Sequence, residues 1–306
     1  MNKKLRKLLR NPKLFFVEAV RKRFSPIAHN REKSANLALN SKPDMAVYNE
    51  LVHFAANYPV NSLKYRDEAL WPYIRHHLLV QLTAVSIGKR QARYLDPYRL
   101  QLGHPQSLSH GKRLEISKKY GVKFFDALET RTDLDFLFFT ALNASEQVML
   151  GEKIYYRVTD PLYEIAKSVG RAEKIELVKT NTPAIKKIPQ YYHPANTVFT
   201  PEIFTSGYSN SVEIDVDFYR MAKRYMPSLV LEHESLKSLI DWELHTRDFY
   251  VQLLKKLNPK VVFFPAFHYY GPLISAARSL GIISVDIQHG IQVGYNPLYN
   301  DWSEMP

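Results

Sequence analysis

Two short stretches of the sequence each combine a histidine with residues that can bind a hydroxylated ligand. The six residues, three after each of two apolar runs, are His268, Tyr269, Tyr270, Gln288, His289 and Gly290. Histidine titrates near neutral pH, so it can act as a general base or as a stabilising cation. Glutamine and histidine bond hydroxyl groups, tyrosine rings stack on sugars, and glycine lets a ligand approach the backbone. We expect His289 to be catalytic and the other five residues to contact substrate.

The same residues also have ordinary structural roles. A histidine such as His289 can cap a buried turn, and Gly290 can be needed only for a positive φ angle. Tyrosines such as Tyr269 and Tyr270 pack more often than they bind. The sequence leaves both interpretations open.

Trp71, Arg75 and His76 form a further group of candidates on a predicted helix. Trp71 and Arg75 are four residues apart and share a helix face, and His76 lies within one to two turns of Trp71. An arginine and a histidine beside a tryptophan can hold an anionic sugar or a phosphate. The alternative is a tryptophan in the core, with Arg75 paired to an acid such as Asp67 or Glu68.

Neither a metal site nor a cofactor is expected. Asp215 and Asp217 have the spacing of a metal-binding pair, but the same spacing fits a helix N-cap followed by an acid in the first turn. The chain has no cysteine, which excludes a disulfide scaffold, a thiolate zinc site and a cysteine nucleophile. The glycine-rich dinucleotide fingerprint and the phosphate-binding P-loop are both missing from the sequence.

The strands and the helix that would position the two histidine stretches are predicted from residue 260 onward. Residues 260–264 and 282–287 are apolar runs, and between them Pro272–Leu280 reads as a helix closed by Gly281. This spacing is typical of a βαβ unit, in which the two strands are parallel. Both histidine stretches would then leave the same edge of the sheet, where open parallel sheets bind their ligands.

The rest of the pattern predicts an α/β domain over residues 45–306, a Rossmann-like parallel sheet with flanking helices and a helical N-terminal part at 45–120. We predict further strands over residues 135–142 and 175–178. Helices are predicted over residues 45–58, 67–87, 160–169, 216–225 and 229–257, with Gly170 ending the third of them. Residues 88–120 and 180–212 lack periodicity and read as irregular.

The basic character of the chain is concentrated at its N-terminus. The net charge is +12, and residues 1–33 hold eleven Lys or Arg but only Glu18 and Glu32 as acids. Residues 1–26 read as a broken amphipathic helix with Leu and Phe on one side, and residues 27–44 read as a linker. Such a helix can enter the headgroup region of an anionic membrane, pack on its own domain, or bind nucleic acid or a partner.

We favour the membrane, because a charge confined to one end does not suit a nucleic-acid groove across the fold. The sequence shows neither a signal peptide nor an apolar run of the roughly 18–20 residues that span a bilayer. The expected location is therefore the cytoplasm, at the periphery of the inner membrane. No nucleic-acid partner is expected.

Three segments resemble bacterial enzymes of surface-polysaccharide synthesis. They are Lys3–Phe16, Trp71–Arg75 and Gly281–Gly290, which look like segments of capsule and lipopolysaccharide glycosyltransferases with a GT-B-like, two-Rossmann architecture. The His289-Gly290 pair is also similar to one in teichoic-acid glycerophosphotransferases, where the histidine is a catalytic candidate. Those enzymes usually have threonine after the glycine, whereas this chain has Ile291.

The resemblance implies transfer of a sugar from a nucleotide-activated donor to a glycan or glycolipid acceptor at the cytoplasmic membrane face. A GT-B enzyme also carries a C-terminal Rossmann domain of roughly 150 residues, whereas this chain ends 16 residues after Gly290. The resemblance therefore implies an N-terminal half. The alternative is a non-catalytic or truncated membrane-associated subunit of such a system.

Overall fold

A computed structural model describes most of the α/β part of the chain. The described residues are 45–65, 68–86, 115, 118–119, 123–124, 133–141, 147–177, 190–195, 197–199, 212–229, 232–265 and 270–287. The predicted N-terminal helix at residues 1–26 and the linker at 27–44 lie outside them.

The described residues form six α-helices and ten strands. The helices are α1 (Met45–Asn57), α2 (Trp71–Ser86), α3 (Asp160–Val169), α4 (Val216–Tyr225), α5 (His233–Leu257) and α6 (Gly271–Ser279). The strands are β1 (Lys64–Tyr65), β2 (Glu68–Ala69), β3 (Lys123–Phe124), β4 (Phe136–Ala141), β5 (Gln147–Leu150), β6 (Lys153–Tyr156), β7 (Ala172–Leu177), β8 (Thr197–Phe199), β9 (Val261–Pro265) and β10 (Ile283–Ile287).

Six strands form one parallel sheet in the order β10-β9-β4-β7-β8-β3. Counted from β4 along the chain, the five strands β8, β7, β4, β9 and β10 have the order 3-2-1-4-5, which is that of Rossmann-like sheets. The chain builds outward from β4 to β8, returns to the other side of β4 at β9, and continues to β10. The reversal of direction therefore lies between β4 and β9.

The predicted βαβ unit at the end of the domain is confirmed. β9 and β10 pair in parallel from Val261–Ile283 to Pro265–Ile287, and α6 connects them. The two strands thus end side by side at the carboxyl edge of the sheet.

Each face of the sheet is covered by helices. On one face the buried strand residues Phe139, Ile175 and Phe264 pack with residues from the second half of α5 and from α6. On the other face Phe138 packs with Tyr163 of α3. Side chains alternate along each strand, and the central strands bury residues on both faces, so the sheet is a middle layer.

A second hydrophobic core is built from α1, α2, α4 and the first half of α5. It includes Phe54, Trp71, Phe218 and Ile240, all at most 5% exposed. The helical part predicted for residues 45–120 therefore also draws on segments from beyond residue 212. Its aromatic rings meet in pairs such as Phe54 and Phe218, whose centroids are 5.6 Å apart.

Helix α5 belongs to both cores, and its length fixes their arrangement. Its 25 residues span about 37 Å, whereas the five residues of β9 span about 16 Å. Leu257, at the end of α5, accepts a hydrogen bond from the backbone of Leu134 at the amino end of β4. The first half of α5 must therefore extend past the carboxyl ends of the strands, and it places the helical core at that edge.

Strand β7 is longer than predicted, because its first half contains charged residues. The sequence predicted a strand over residues 175–178, but β7 begins at Ala172. Lys174 and Glu176 are both buried. Lys174 can be buried because its ammonium pairs with the carboxylate of Asp160 on α3. The charged residues Glu173 and Lys174 made the first half of the strand look exposed in the sequence.

Other predictions missed short elements or misplaced helix starts. The hairpin β5–β6, the ribbon β1–β2 and strands β3 and β8 were not predicted. The helix predicted from residue 67 begins at Trp71, and the one predicted from residue 229 begins at His233. Of the region 88–120 predicted as irregular, the structure describes only Glu115, Lys118 and Lys119, all in helical conformation.

Gly170 ends α3 as predicted. Glycine is needed there because a side chain would clash with its neighbours, and not because the backbone has a positive φ angle. Its φ angle is −172°, an extended value that any residue adopts. A Cβ atom built there would lie 2.7 Å from Oδ2 of Asp135 and 3.0 Å from the ring of Phe136. The backbone passes so close to the start of β4 that a side chain does not fit.

Candidate ligand site at the carboxyl edge of the sheet

Strands β9 and β10, which precede the two histidine stretches, end at neighbouring positions. Pro265 and Ile287, the last residues of the two strands, are register partners. The sequence continues from them into the stretches that contain His268 and His289. In an open parallel sheet this edge, next to the reversal of strand order, is where ligands bind.

Five of the candidate residues follow this edge in sequence but lie outside the described residues. They are His268, Tyr269, Gln288, His289 and Gly290. The structure describes the strand ends that precede them in the sequence, Pro265 and Ile287. Their roles remain predictions.

Tyr270, the sixth candidate, is a packing residue in this structure. It is 3% exposed, and its ring centroid lies 5.2 Å from that of Phe264 and 6.2 Å from that of Phe139. It immediately precedes α6. Its burial fixes the position of the residue from which α6 begins.

The three candidates on α2 fall on different sides of the helix. Trp71 and Arg75 share a face and are 5% and 4% exposed, with the indole 6.0 Å from the ring of Phe54 in the helical core. For Trp71 this is the core position that the sequence left open as the alternative. His76 is only partly buried, and its ring lies 5.3 Å from that of His77.

The opposite side of α2 meets the first turn of α6. The hydroxyl of Tyr73 donates a 2.9 Å hydrogen bond to Glu68, and its ring would lie 3.7 Å from a Cβ atom built on Gly271. Burial raises the pKa of Tyr73 well above its usual value, and the charge of Glu68 raises it further. His76 is three residues after Tyr73 and so lies on the neighbouring flank of α2.

A buried histidine–carboxylate pair lies beside this contact. Nε2 of His77 lies 3.0 Å from Oε1 of Glu243 on α5, and both side chains are under 10% exposed. Glu243 also lies near Tyr250, a residue of the core between α5 and the sheet. Burial raises the pKa of Tyr250, and the charge of Glu243 raises it further. This pair lies at the contact between α2 and α5.

A second polar cluster lies under the hairpin β5–β6, on the other face of the sheet. Asp160 pairs with Lys174 and also accepts a 2.8 Å hydrogen bond from the backbone N–H of Tyr156. The stacked rings of Tyr156 and Tyr191 have centroids 5.0 Å apart, and Gln147 donates to the hydroxyl of Tyr191. Burial raises the pKa of Tyr191 to about 12. These phenols are therefore neutral hydrogen-bonding groups at physiological pH.

Sequence reasoning missed this cluster, although one signal was present. Thr140 and Glu176 are register partners on β4 and β7, so they share the face that Lys174 also occupies. All three are at most 1% exposed. Lys174 and Glu176 alternate with the apolar Ile175 and Leu177, and this alternation in a strand next to the apolar β4 was the signal of a buried polar network.

The Asp215 and Asp217 pair has the structural role that was predicted for it. The side chain of Asp215 caps α4 by accepting a 2.9 Å hydrogen bond from the backbone N–H of Asp217. Within the described residues, no group of three or more His, Asp or Glu side chains could hold a metal ion.

The sequence matches no protein-family model, and no curated protein and no solved structure is significantly similar to it. Among the helices that the structure describes, none combines the length and apolarity required to cross a membrane. The strand order and the residues that follow the carboxyl edge are therefore the features from which a function can be inferred.

Proposed function

We propose that the chain is the N-terminal, Rossmann-like half of a GT-B-like glycosyltransferase of capsule or lipopolysaccharide synthesis. The observation that carries the proposal is the side-by-side ending of β9 and β10, next to the reversal of strand order at β4. Loops that leave such an edge are the usual place for a ligand in this type of sheet. Here those loops carry His268 and His289.

The proposed chemistry is transfer of a sugar from a nucleotide-activated donor to a glycan or glycolipid. His289 acts as the general base at the acceptor hydroxyl, or as a cation beside the leaving phosphate. Gln288, Gly290, His268 and Tyr269 bind hydroxyl groups and ring faces around it.

The helical core borders the proposed site on the side that faces the strand ends. His76 is the α2 candidate that is partly accessible, and it contacts the sugar or phosphate. Trp71, Arg75 and Tyr270 are buried, so they do not contact the ligand and instead pack behind the residues that do. Residues 1–26 bring the site to the anionic cytoplasmic face of the inner membrane, where a glycolipid acceptor is found.

A transfer assay with matched histidine variants tests this proposal. The full chain is incubated with radiolabelled UDP-, GDP- and CMP-linked sugars and anionic vesicles that contain bacterial glycolipid. His289→Ala should lower transfer by about 10²–10⁴-fold, the range for losing a general acid or base, with an unchanged melting temperature. His53→Ala, on an exposed position of α1, is the control and should transfer normally.

Two results would reject the proposal. If His289→Ala transfers sugar as fast as the unaltered chain, His289 is structural. If the unaltered chain transfers no sugar from any donor, the non-catalytic subunit is the better interpretation.

A further inference from the structure

Exposed apolar side chains are concentrated on one part of the described surface. Among the described residues nine large hydrophobic side chains are exposed, and seven of them lie in the hairpin β5–β6, in α3 or at Tyr192. The other two, Val216 and Ile283, lie on the separate elements α4 and β10. Single exposed hydrophobic residues are common on proteins, whereas a concentration of them marks a surface that contacts a partner. We call these seven residues the apolar surface.

The hairpin contributes three consecutive residues to the apolar surface. Val148, Met149 and Leu150 on β5 are 44%, 64% and 50% exposed. Val148 and Leu150 share one face of the hairpin with their register partners Tyr155 and Lys153. The other face of the hairpin covers the buried polar cluster, so this face is the outer one.

Helix α3 is apolar on its outer side as well as on its inner side. Tyr163 and Ala166 are buried against the sheet. On the opposite side Leu162, Ile165 and Val169 follow each other at helical spacing and are 38%, 62% and 71% exposed. A helix that is apolar all round is normally covered on every side.

Tyr192 connects the hairpin part of the apolar surface with the helix part. Its ring centroid lies 5.8 Å from that of Tyr155 and 4.9 Å from that of His193. Nε2 of His193 in turn lies 2.9 Å from Oε1 of Glu164, the residue before Ile165 on α3. The two parts of the apolar surface therefore adjoin.

The exposed charges around the apolar surface are mainly basic. Over residues 147–171 two exposed acids, Glu152 and Glu164, are outnumbered by four exposed basic residues, Lys153, Arg157, Lys167 and Arg171. Apolar side chains bordered by cations are complementary to the headgroup region of an anionic lipid surface.

The same charges disfavour two other partners. Residues 1–33 of this chain hold eleven basic residues and two acids, so this segment would bring further positive charge to the apolar surface. A second copy of the chain would place the same four cations opposite each other. An anionic lipid surface is the partner that the charges suit.

We infer that the outer faces of the hairpin β5–β6 and of α3 form a membrane-contact surface, which docks on anionic lipid. Leu150, Ile165 and Tyr192 enter the headgroup region, where a tyrosine ring is favoured because one end is apolar and the other polar. The basic residues at the border meet the lipid phosphates.

This contact orients the sheet relative to the lipid. α3 begins at Asp160 and ends where Gly170 passes Asp135 at the start of β4, so it runs from the carboxyl edge to the amino edge. The base of the hairpin is held at the beginning of α3, since the backbone of Tyr156 donates to Asp160. Docking therefore brings the carboxyl edge close to the membrane, where the proposed function requires a glycolipid acceptor. The inference extends the membrane location in the proposed function, but it does not depend on sugar transfer.

Fluorescence quenching in the full chain tests the contact at single positions. The chain has no cysteine, so one introduced cysteine can carry an environment-sensitive fluorophore. Leu150→Cys and Ile165→Cys report on the apolar surface, and Val216→Cys and Ile283→Cys are matched controls, 56% and 61% exposed. Phosphatidylglycerol vesicles that contain a lipid with a nitroxide near its headgroup should quench the fluorophore at residues 150 and 165 but not at the control positions. Phosphatidylcholine vesicles should quench none of the four.

Three results would overturn the inference. Quenching at none of the four positions means that the apolar surface does not reach lipid. Equal quenching at all four means that no particular face is docked. A change in emission at residues 150 and 165 that needs no vesicles and grows with protein concentration means that a second copy covers the surface.

Vesicle affinity gives a second measurement. Leu150→Asp combined with Ile165→Asp should weaken binding of the full chain to phosphatidylglycerol vesicles about tenfold or more, because apolar contacts are replaced by charges that anionic lipid repels. Val216→Asp combined with Ile283→Asp makes the same change of charge elsewhere and should bind like the unaltered chain. All four side chains are exposed, so both double variants should keep the melting temperature. Equal affinities of the two double variants would contradict the inference.

The outcomes for docking and for sugar transfer are separable. If residues 150 and 165 are quenched but the unaltered chain transfers no sugar, the proposed function fails and the membrane-contact surface stands. If the unaltered chain transfers sugar but residues 150 and 165 are not quenched, the proposed function stands and the membrane-contact surface fails.

Discussion

The buried pair of Lys174 and Asp160 shows how single residues decide the structure of this sheet. Both side chains have 0% exposure, so neither charge is screened by solvent. A buried charge is tolerated only when it is paired and hydrogen-bonded. Asp160 meets this condition through Lys174 and the backbone of Tyr156.

Removing one partner of this pair should destabilise the protein strongly. We expect Lys174→Met to lower the free energy of unfolding by about 3–5 kcal/mol, because it leaves the carboxylate of Asp160 buried without its cation. Adding Asp160→Asn to this variant should recover part of the loss, since an amide can still accept the backbone hydrogen bond of Tyr156. Urea unfolding followed by circular dichroism measures both effects.

The exposed pair of Arg220 and Asp217 provides the control for this comparison. Its side chains are 73% and 75% exposed, and exposed pairs contribute little to stability. Arg220→Met should therefore unfold at the same urea concentration as the unaltered chain. A Lys174→Met variant as stable as the unaltered chain, or a double variant no better than the single one, would contradict the account of the pair.

At the scale of elements, the predictions succeeded where local patterns were complete. The βαβ unit ending at Ile287 and the end of α5 at Leu257 were predicted within about one residue, a margin typical of assigning element ends. Asn258, just after α5, has a φ angle of 44°, which suits an asparagine at a helix end. Apolar periodicity and a capping residue are both local, so a single sequence contains them.

The elements that were missed depend on distant contacts. β8 has three residues and is held by pairing with β7 and β3, which no local pattern reveals. The ribbon β1–β2 has two residues in each strand, and its Glu68 is anchored by α5 and α6. For the candidate site, the sequence indicated the carboxyl edge of the sheet, but it left open whether Trp71 and Tyr270 bind a ligand or pack in the core. The contacts of Glu68 with residues of α2, α5 and α6 were not indicated by any local pattern.

The basic N-terminal segment gives a prediction at the same scale. Deleting residues 1–26 should release the protein from phosphatidylglycerol vesicles, because this segment combines most of the net charge with Leu and Phe side chains. Co-sedimentation with anionic and with neutral vesicles measures the effect, and the neutral vesicles serve as the control. Undiminished binding of the shortened chain to anionic vesicles would reject the docking role of the segment.

At the scale of the whole molecule, two hydrophobic cores share one helix. The second half of α5 packs on the sheet, while its first half extends past the carboxyl edge into the helical core. The contacts of Glu68 and the pair of His77 and Glu243 lie where the two cores meet. A ligand at the carboxyl edge would thus be bordered by the strand ends on one side and by α2 on the other.

The central claim is that this edge is the ligand site, and photo-crosslinking tests it most directly. The full chain is irradiated with azido-substituted UDP, GDP and CMP sugars, or with a bacterial glycolipid that carries a diazirine, and the labelled peptides are identified by mass spectrometry. Excess unmodified ligand should prevent specific labelling. The account predicts labels in the peptides that contain residues 266–270 and 288–290. Competable labelling confined to the amino edge of the sheet, at residues 133–135 and 258–260, would contradict it, as would the absence of any competable label.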